Sequence, residues 1–188
     1  MRTLKLQVQI TADGFVAGPD GQQDWMTWDW DDELQQFADK ITSPVDCIVM
    51  GRKLAEGFIP YWAQVAEDPD NPEQESGKKF NETPKVVFSH SLEKSKWENT
   101  DLVKGDLVDE ITQLKQEDGR EIIAYGGATF VSNLVKHELV DEFYLFVNPV
   151  AIGSGMPIFG KLTDYQSLNL VQTRAFDCGI VLLHYEPK

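Results

Sequence analysis

The stretch Ile-Ile-Ala-Tyr-Gly-Gly-Ala-Thr-Phe, residues 122–130, joins an apolar run to a pair of glycines, after which apolar residues continue at helical spacing to Leu139. This order is typical of a β-strand that turns directly into the N-terminus of an α-helix. Gly126 and Gly127 allow a ligand to approach the main chain, and the free amides and dipole of a first helical turn favour an anion such as a phosphate. The pattern therefore suggests a nucleotide site. A tight turn that needs glycine only for its own geometry explains it equally well.

Composition and charge narrow the classes of protein to which the chain can belong. Its 188 residues, 41% of them hydrophobic, predict a single domain over residues 1–188 with a sizeable core. The formal net charge of -14 argues against a surface that binds nucleic acid or anionic lipid, because both require clustered Lys and Arg. No segment has the apolar length of a membrane span and none forms a signal-peptide core, so we expect a cytoplasmic protein.

The cysteines and histidines lack the spacing of a metal site. Cys47 lies in an apolar run and Cys178 precedes Gly179, with no pair of cysteines two residues apart. We expect both to be buried free thiols, as is usual in the cytosol. His137 and His184 have no Cys or acidic partners at metal-ligand spacing, and we therefore predict no metal.

Strand and helix patterns alternate along the rest of the chain. Apolar and polar residues alternate from Leu4 to Ile10, which predicts a strand with one buried face. Further strands are predicted at residues 45–50, 85–88, 102–103, 122–125 and 142–150, and helices at 31–41, 52–58, 107–116 and 128–139. Residues 168–176 and 180–185 predict a C-terminal antiparallel hairpin. Together these patterns predict a mixed sheet in an α/β domain.

Two segments leave alternatives open. Residues 63–84 are acidic, rich in Pro, Asn and Glu, and weakly periodic, which predicts a long surface excursion that is either a lid or a simple insertion. The strand at 142–150 is apolar on both faces, so it lies either centrally in the sheet or against a partner. A homodimer is one explanation, and a central position explains the pattern equally well.

Several short motifs occur in an order and at a spacing that resemble one known family. They are Asp-Gly-Phe-Val-Ala at 13–17 followed by Asp24-Trp25, Val-Met-Gly-Arg-Lys at 49–53, Val-Phe-Ser at 87–89, the glycine pair, and Asn-Pro-Val at 148–150 leading to Gly-Ser-Gly-Met-Pro-Ile-Phe at 153–159. The chain resembles the dihydrofolate reductase-like superfamily, in particular the family of the C-terminal reductase domain of the bifunctional riboflavin-biosynthesis deaminase-reductase and its stand-alone relatives. The resemblance implies a mixed, mostly parallel sheet flanked by helices and often a homodimer. It also implies NADPH as cofactor and hydride transfer to a heterocycle or a sugar-like carbonyl equivalent.

The resemblance assigns a set of residues to the cofactor. In the strand-end turn at Gly51, the guanidinium of Arg52 is expected to meet the phosphates, because its planar fork donates in pairs and keeps its charge. The alternative for Arg52 is a solvated residue at the end of a strand. The residues assigned to the cofactor are Val16, Ala17, Gly51, Arg52, Lys53, Ser89, His90, Gly126, Gly127, Ala128 and Thr129.

Two positions depart from the pattern of the family. An arginine is common where His90 stands, and a neutral imidazole offers little charge to a 2'-phosphate, which leaves the preference for NADP over NAD open. Leu54 stands where many relatives carry a threonine. The loss of one neutral hydrogen bond, about 0.5 to 1.5 kcal/mol, would weaken cofactor binding by about tenfold.

Aromatic and acidic residues around the start of the first helix suggest a substrate side. Trp25, Trp28 and Trp30 offer flat walls for a planar heterocycle. By the resemblance, Asp32 is the nearest match to the catalytic acid of dihydrofolate reductases, and it would hold or relay a proton. Acidic residues in a first helical turn also stabilise the helix dipole, which explains Asp32 without catalysis.

Gly153 and Gly155 match the loop that flanks the substrate pocket in the family. Relatives in riboflavin synthesis hold a sugar phosphate there, and basic residues for that phosphate are not evident beside these glycines. We therefore expect a small substrate other than a phosphorylated pyrimidine.

The leading hypothesis is an NADPH-dependent reductase of a small heterocyclic, pyrimidine-like or pterin-like substrate. Its activity would be similar to that of 5-amino-6-(5-phosphoribosylamino)uracil reductase. The alternatives are a non-catalytic nucleotide-binding or regulatory module and a weak dihydrofolate reductase.

Overall fold

The computed structural model describes residues 1–188 and contains ten strands and five helices. The strands are β1 (Thr3–Thr11), β2 (Phe15–Ala17), β3 (Val45–Gly51), β4 (Lys85–Phe88), β5 (Thr100–Val103), β6 (Glu121–Tyr125), β7 (Glu142–Asn148), β8 (Met156–Pro157), β9 (Leu168–Ala175) and β10 (Val181–Pro187). The helices are α1 (Asp32–Thr42), α2 (Arg52–Glu67), α3 (Gln74–Glu82), α4 (Leu107–Gln116) and α5 (Ala128–Lys136). None of these helices combines the length and the apolar composition that a membrane crossing needs.

Eight strands form one sheet in the order β5-β4-β3-β6-β1-β7-β10-β9. The six strands from β5 to β7 in this order run parallel, whereas β10 is antiparallel to both β7 and β9. The short strands β2 and β8 form a separate antiparallel pair. This arrangement confirms the predicted mixed, mostly parallel α/β sheet with a C-terminal antiparallel hairpin.

Helices cover both faces of the parallel part of the sheet, as expected for strands that are buried on both sides. On one face, the apolar residues of β1 from Leu4 to Ile10 pack with β6, α4 and α5. On the other face, β3, β6 and β7 pack beneath α1, α2 and α3. Because β7 lies between β1 and β10, its Phe143 and Tyr144 are buried on opposite faces. The two-sided apolar pattern of β7 therefore follows from its place inside the sheet, and no partner is needed to explain it.

The acidic stretch 63–84 is not a surface excursion, and that prediction was wrong. Helix α2 runs well past its predicted end at Phe58, and α3 follows it after a short connection. The two helices approach closely at Gly77, where a Cβ atom would lie 2.8 Å from the backbone nitrogen of Ala66. Apolar side chains are buried on both sides of Pro60, which offsets the hydrogen bond that a proline removes from a helix.

The two cysteines are free thiols. Cys47 is buried in β3, and Cys178 is only partly buried in the turn between β9 and β10. Burial raises the pKa of the Cys47 thiol to about 11, so this group stays protonated at neutral pH and is a poor nucleophile.

Candidate active site

A cleft of about 720 Å³ opens on the face of the sheet that carries α1, α2 and α3. The sheet forms its floor, and its sides are those helices and the segment 23–30 that precedes α1. The cleft extends from the glycine turn after β6 to Thr42 and Thr83, which lie just before β3 and β4. It therefore runs along the parallel strands from their amino ends to their carboxyl ends.

Two glutamines of β1, Gln7 and Gln9, contribute to the floor of the cleft. Strand β1 lies between two parallel neighbours, and Gln7 stands in register with Tyr125 on one side and Tyr144 on the other. A central parallel strand is normally apolar on both faces, so polar residues at this place mark a cavity. Sequence reasoning did not single out these glutamines. Their polar alternation was the available signal, and it identifies a cleft only once the order of the strands is known.

The orientation of Gln9 is held by Asn148, which is fully buried at the end of β7. The Nδ2 atom of Asn148 donates to Oε1 of Gln9 at 3.0 Å. The Oδ1 atom of Asn148 accepts from the backbone nitrogen of Thr27 at 2.9 Å, which fixes the amide of Asn148 and ties the segment 23–30 to the sheet.

Aromatic rings form the sides of the cleft. On α2, Trp62 stacks on Phe80 of α3 with ring centroids 5.7 Å apart, and on the opposite side Trp30 stacks on Phe146 at 5.9 Å. Trp28 also lines the cleft and is 66% exposed, so one of its surfaces remains open to a ligand. Trp25 does not line the cleft, and its Nε1 donates to the carbonyl oxygen of Gln22 at 3.2 Å.

Two buried polar atoms of the cleft have no hydrogen-bond partner in the protein. They are Oε1 of Gln7, an acceptor, and Nε1 of Trp62, a donor. Buried polar atoms are nearly always paired, because the loss of hydration is otherwise uncompensated. Both atoms have almost no accessible surface, so a ligand in the cleft would reach them only after their side chains move.

Two glycine turns meet at the carboxyl edge of the sheet, one from β3 into α2 and one from β6 into α5. A Cβ atom at Gly51 would lie 3.0 Å from Cβ of Phe130, and one at Gly127 would lie 3.7 Å from Cβ of Leu54. Gly127 has a φ of 103°, a backbone conformation that residues other than glycine rarely adopt. The structure thus brings together the predicted cofactor residues of these two turns.

The helices that follow these turns begin without a capping side chain. α2 starts after Gly51 and α5 after Gly127, and neither has an acidic residue in its first turn. By contrast, α1 and α4 are capped by the carboxylates of Asp31 and Asp106, and both carry acidic residues in their first turns. The positive ends of α2 and α5 are therefore available to an anion at the edge of the cleft.

The two basic residues at the start of α2, Arg52 and Lys53, have different surroundings. The Nη1 atom of Arg52 donates to both carboxylate oxygens of Glu56 at 2.9 Å, one helical turn further along α2. Lys53 is exposed and lines the cleft. Arg52 must therefore share its guanidinium with Glu56, or turn away from it, to reach a phosphate.

The remaining cofactor candidates surround the same edge. Ser89 is buried after β4, and its Oγ accepts from the backbone nitrogen of Leu92 at 3.1 Å, whereas His90 is exposed. Val16 of β2 lines the cleft, and Ala17 is buried beside it. The last two candidates, Ala128 and Thr129, form the first turn of α5.

The predicted catalytic acid, Asp32, is exposed in the first turn of α1 and does not line the cleft. Its neighbour Asp31 caps the helix by accepting from the backbone nitrogen of Leu34 at 2.8 Å, and this hydrogen bond lowers the pKa of Asp31. The acidic residues that do line the cleft are Asp39 and Glu73. Burial, and secondly the charge of Asp39, raise the pKa of Glu73.

Gly153 and Gly155, which were predicted to flank the substrate pocket, lie in a loop that is hydrogen-bonded to the turn after β1. The carboxylate of Asp13 accepts from the backbone nitrogens of Gly153 at 2.7 Å and Ile152 at 3.1 Å, and hydrogen bonds lower its pKa, the one from Thr11 most. A Cβ atom at Gly155 would overlap the carbonyl oxygen of Ala17. Neither glycine lines the cleft, and Gly155 is explained by the close packing of this loop on β2.

The mixed, mostly parallel sheet with its C-terminal antiparallel pair is a dihydrofolate reductase-like fold. A putative riboflavin biosynthesis protein from Shewanella sp. PV-4 has this fold, with a TM-score of 0.71 and 23% identity over 100% of this chain and 99% of that chain. A diaminohydroxyphosphoribosylaminopyrimidine deaminase/5-amino-6-(5-phosphoribosylamino)uracil reductase from Thermotoga maritima has a TM-score of 0.71 at 21% identity. That match covers 100% of this chain and 57% of the Thermotoga chain. At such low identity the likeness shows the fold alone.

Residues 2–182 match the RibD C-terminal domain, and the chain belongs to this family. The uncharacterized protein YyaP of Bacillus subtilis (strain 168) is 33% identical over 188 residues, covering 98% of this chain and 94% of YyaP. The uncharacterized protein YwjB of the same organism is 29% identical over 98% of this chain and 97% of YwjB. The match thus extends over almost the whole length of both relatives.

Proposed function

We propose that the protein is an NADPH-dependent reductase that transfers a hydride to a small heterocyclic, pyrimidine-like or pterin-like substrate. Membership of the RibD C-terminal domain family supports a reductase-like role related to riboflavin biosynthesis. The name of the Thermotoga maritima neighbour, which includes 5-amino-6-(5-phosphoribosylamino)uracil reductase, supports the same class of reaction.

The observation that carries this proposal is the pair of uncapped helix N-termini at the edge of the cleft. Gly127 and Leu54 are neighbours across the two turns, so the amides at the starts of α2 and α5 lie close together. Two helix dipoles and free amides at one place suit a pyrophosphate, which carries negative charge on two linked groups. In a chain with a net charge of -14, such local groups must hold the anion. The residues present therefore fit a dinucleotide.

The chain would contribute binding and orientation to the reaction. A bound nicotinamide would supply the hydride. The aromatic walls at Trp30 and Trp62 would hold a planar ring, while Gln7 and Gln9 on the floor would set its orientation through hydrogen bonds. Because Asp32 lies outside the cleft, we propose that water, or one of the two acids that line the cleft, Asp39 or Glu73, supplies the proton.

The cleft suits a substrate without a phosphate group of its own. Its basic residues are Lys53 and Lys79. Lys79 already donates to the carbonyl oxygen of Thr42 at 2.7 Å, and Lys53 lies beside the proposed cofactor turn. We therefore propose a small unphosphorylated substrate.

Titration of the protein with NADPH and with NADH, followed by quenching of tryptophan fluorescence, tests the proposal. We expect micromolar binding of NADPH that weakens by about tenfold in Arg52→Ala, as for the loss of one charge-assisted hydrogen bond. Lys136→Ala, at the far end of α5, is the matched control and should bind like the unmodified protein. Absence of binding for either nucleotide at millimolar concentration would exclude the reductase.

A non-catalytic nucleotide-binding module is the second candidate. Two observations favour it, the engagement of Arg52 by Glu56 and the apolar side chain of Leu54 at the pyrophosphate turn. Tight NADPH binding without turnover of any pterin, dihydrofolate or pyrimidine would support this candidate. Oxidation of NADPH by any of these substrates would exclude it.

A further inference from the structure

Gln9 lies on the floor of the cleft beside the glycine turn into α5. Strand β6 ends at Tyr125, which stands in register with Gln7 of β1, and Gln9 lies two residues, or about 6.6 Å, further toward the carboxyl edge. Between these two glutamines, Cγ1 of Val8 would lie 3.7 Å from a Cβ atom at Gly126. Gln9 therefore lines the part of the cleft that is next to the proposed pyrophosphate turn.

A chain of hydrogen bonds that begins at the main chain fixes the orientation of the Gln9 amide. The backbone nitrogen of Thr27 can only donate, and it donates to Oδ1 of Asn148 at 2.9 Å. The Nδ2 atom of Asn148 must then face Gln9, whose Oε1 accepts from it at 3.0 Å. Asn148 is fully buried, and Nδ2 also donates to the carbonyl oxygen of Phe146 at 3.3 Å, so both ends of its amide are in use. Nε2 of Gln9 is consequently turned away from Asn148.

The Nε2 atom of Gln9 is a donor that a ligand can reach. Gln9 is only partly buried, and its Nε2, which carries two hydrogens, makes no hydrogen bond within the protein. Unlike Oε1 of Gln7, this unpaired nitrogen is not enclosed by the protein. The cleft thus offers an uncharged donor to a carbonyl oxygen at the end where the glycine turn lies.

We propose that Gln9, oriented by Asn148, is a cofactor-binding residue whose Nε2 donates to the carbonyl oxygen on the nicotinamide ring. A single ribose joins this ring to the pyrophosphate, so a pyrophosphate held at the starts of α2 and α5 leaves the ring to enter the cleft beside Gln9. The hydrogen bond would fix the rotation of the ring over the floor and so orient the hydride. This inference rests on the proposed function, of which it specifies how the cofactor ring is held.

Two probes test the inference: NADPH and its 3-acetylpyridine analogue, both in the reduced form, so that the ring is uncharged. The analogue keeps the carbonyl group on the ring and replaces only the NH2 group of the carboxamide by a methyl group. Their dissociation constants are measured by calorimetry. We expect the unmodified protein to bind both probes within about threefold of each other, because Nε2 of Gln9 meets a carbonyl oxygen in each.

Exchange of the donor for an acceptor should separate the two probes. Gln9→Glu keeps the size of the side chain and still accepts from Nδ2 of Asn148, but it turns an oxygen toward the cleft. We expect the analogue to bind at least about tenfold more weakly to this variant, because two acceptors then face each other. NADPH should lose less affinity, since its carboxamide can turn its NH2 group toward the carboxylate.

Removal of the donor should instead weaken the binding of both probes alike. We expect about threefold to tenfold weaker binding of each to Gln9→Leu, as for the loss of one hydrogen bond. Gln113→Glu introduces a charge on the exposed side of α4, on the other face of the sheet, and should leave both constants unchanged. Because the two probes are compared within each variant, a general loss of stability does not imitate the expected pattern.

The inference is wrong if Gln9→Glu binds the two probes equally well or if Gln9→Leu leaves both constants unchanged. It is also wrong if the unmodified protein already prefers NADPH to the analogue by about tenfold or more, because the NH2 group would then be the group that is held. In each of these cases NADPH still binds and the reductase stands. If the unmodified protein binds neither probe at millimolar concentration, the reductase and the inference are both overturned.

Discussion

His184 of β10 is a buried imidazole whose surroundings disfavour its charged form. Its ring stacks on that of Tyr144 with centroids 4.1 Å apart, and its Nε2 lies 3.4 Å from Oε2 of Glu142. Burial lowers the pKa of His184, and the charge of Glu142 opposes this effect only in part. The contact with Glu142 is therefore between a carboxylate and a neutral imidazole at neutral pH.

The lowered pKa of His184 predicts that the protein loses stability in mild acid. Below about pH 6.5 the unfolded chain binds a proton at His184 more readily than the folded protein does, so the free energy of unfolding falls as the pH falls. Urea denaturation at pH values above and below 6.5 measures the effect. His184→Phe keeps the stacking and removes the titration, so it should lose less stability in acid than the unmodified protein. His90→Gln, at an exposed position, is the control. Equal losses in His184→Phe and the unmodified protein would contradict the prediction.

Asp31 and Asp32 are adjacent in sequence, but they differ in their positions at the start of α1. Both acids lie at the start of α1, and the resemblance to dihydrofolate reductases suggested a catalytic role for Asp32, with stabilisation of the helix dipole as the alternative. The structure places Asp31 as the N-cap of the helix and Asp32 on its exposed surface. Which of two adjacent acids becomes the N-cap depends on the residue at which the backbone enters the helical conformation. The identity of the two residues does not reveal this.

At the scale of elements, two glycines within helices give a matched pair for testing the packing of α2 on α3. A Cβ atom at Gly77 of α3 would lie 2.8 Å from the backbone nitrogen of Ala66, whereas one at Gly57 of α2 would have no atom within 4 Å. We expect Gly77→Ala to lower the free energy of unfolding by about 1 to 3 kcal/mol through overpacking. Gly57→Ala should raise it by about 0.5 to 1 kcal/mol, because alanine loses less backbone entropy in a helix. Urea denaturation of both variants tests the pair, and a stabilised Gly77→Ala would show that the helices are not in close contact.

Helix α3, in the acidic stretch, could not be predicted from helical periodicity. Only Gly77 and Phe80 of α3 are buried, so its apolar pattern is too short to be recognised. α3 is held instead by α2, a contact that depends on the absence of a Cβ atom at Gly77. By contrast, α5 was predicted because Val131, Leu134 and Val135 repeat at helical spacing directly after the glycine pair.

At the scale of the whole molecule, the sheet has one long edge without a neighbour. Strand β9 is largely exposed, including Leu170 at 55% and Val171 at 50%, and its only charged residue is Arg174. Long, exposed edge strands with few charges and no proline readily pair with another strand. Together with the resemblance to a family that is often dimeric, this edge leads us to predict a homodimer.

Light scattering at several protein concentrations measures the mass in solution. We expect twice the mass of the 21.3 kDa chain, and a shift to monomers in Val171→Lys, because a charge on the edge strand opposes its pairing. Gln113→Lys, on the exposed side of α4, is the control and should remain dimeric. A monomeric unmodified protein at all concentrations would contradict the prediction.

The sequence by itself determined the parts of this protein that depend on neighbouring residues. Apolar alternation, glycines and helical spacing are local signals, and they predicted the sheet, the C-terminal hairpin and the turn at Gly126 and Gly127. Tertiary structure alone decided that β1 is central, so that Gln7 and Gln9 face a cleft rather than solvent. It also decided that the turns into α2 and α5 meet. Such placements follow from the pairing of strands that are far apart in the chain. Period-two alternation does not predict them, because a polar face toward solvent and a polar face toward a cleft have the same sequence pattern.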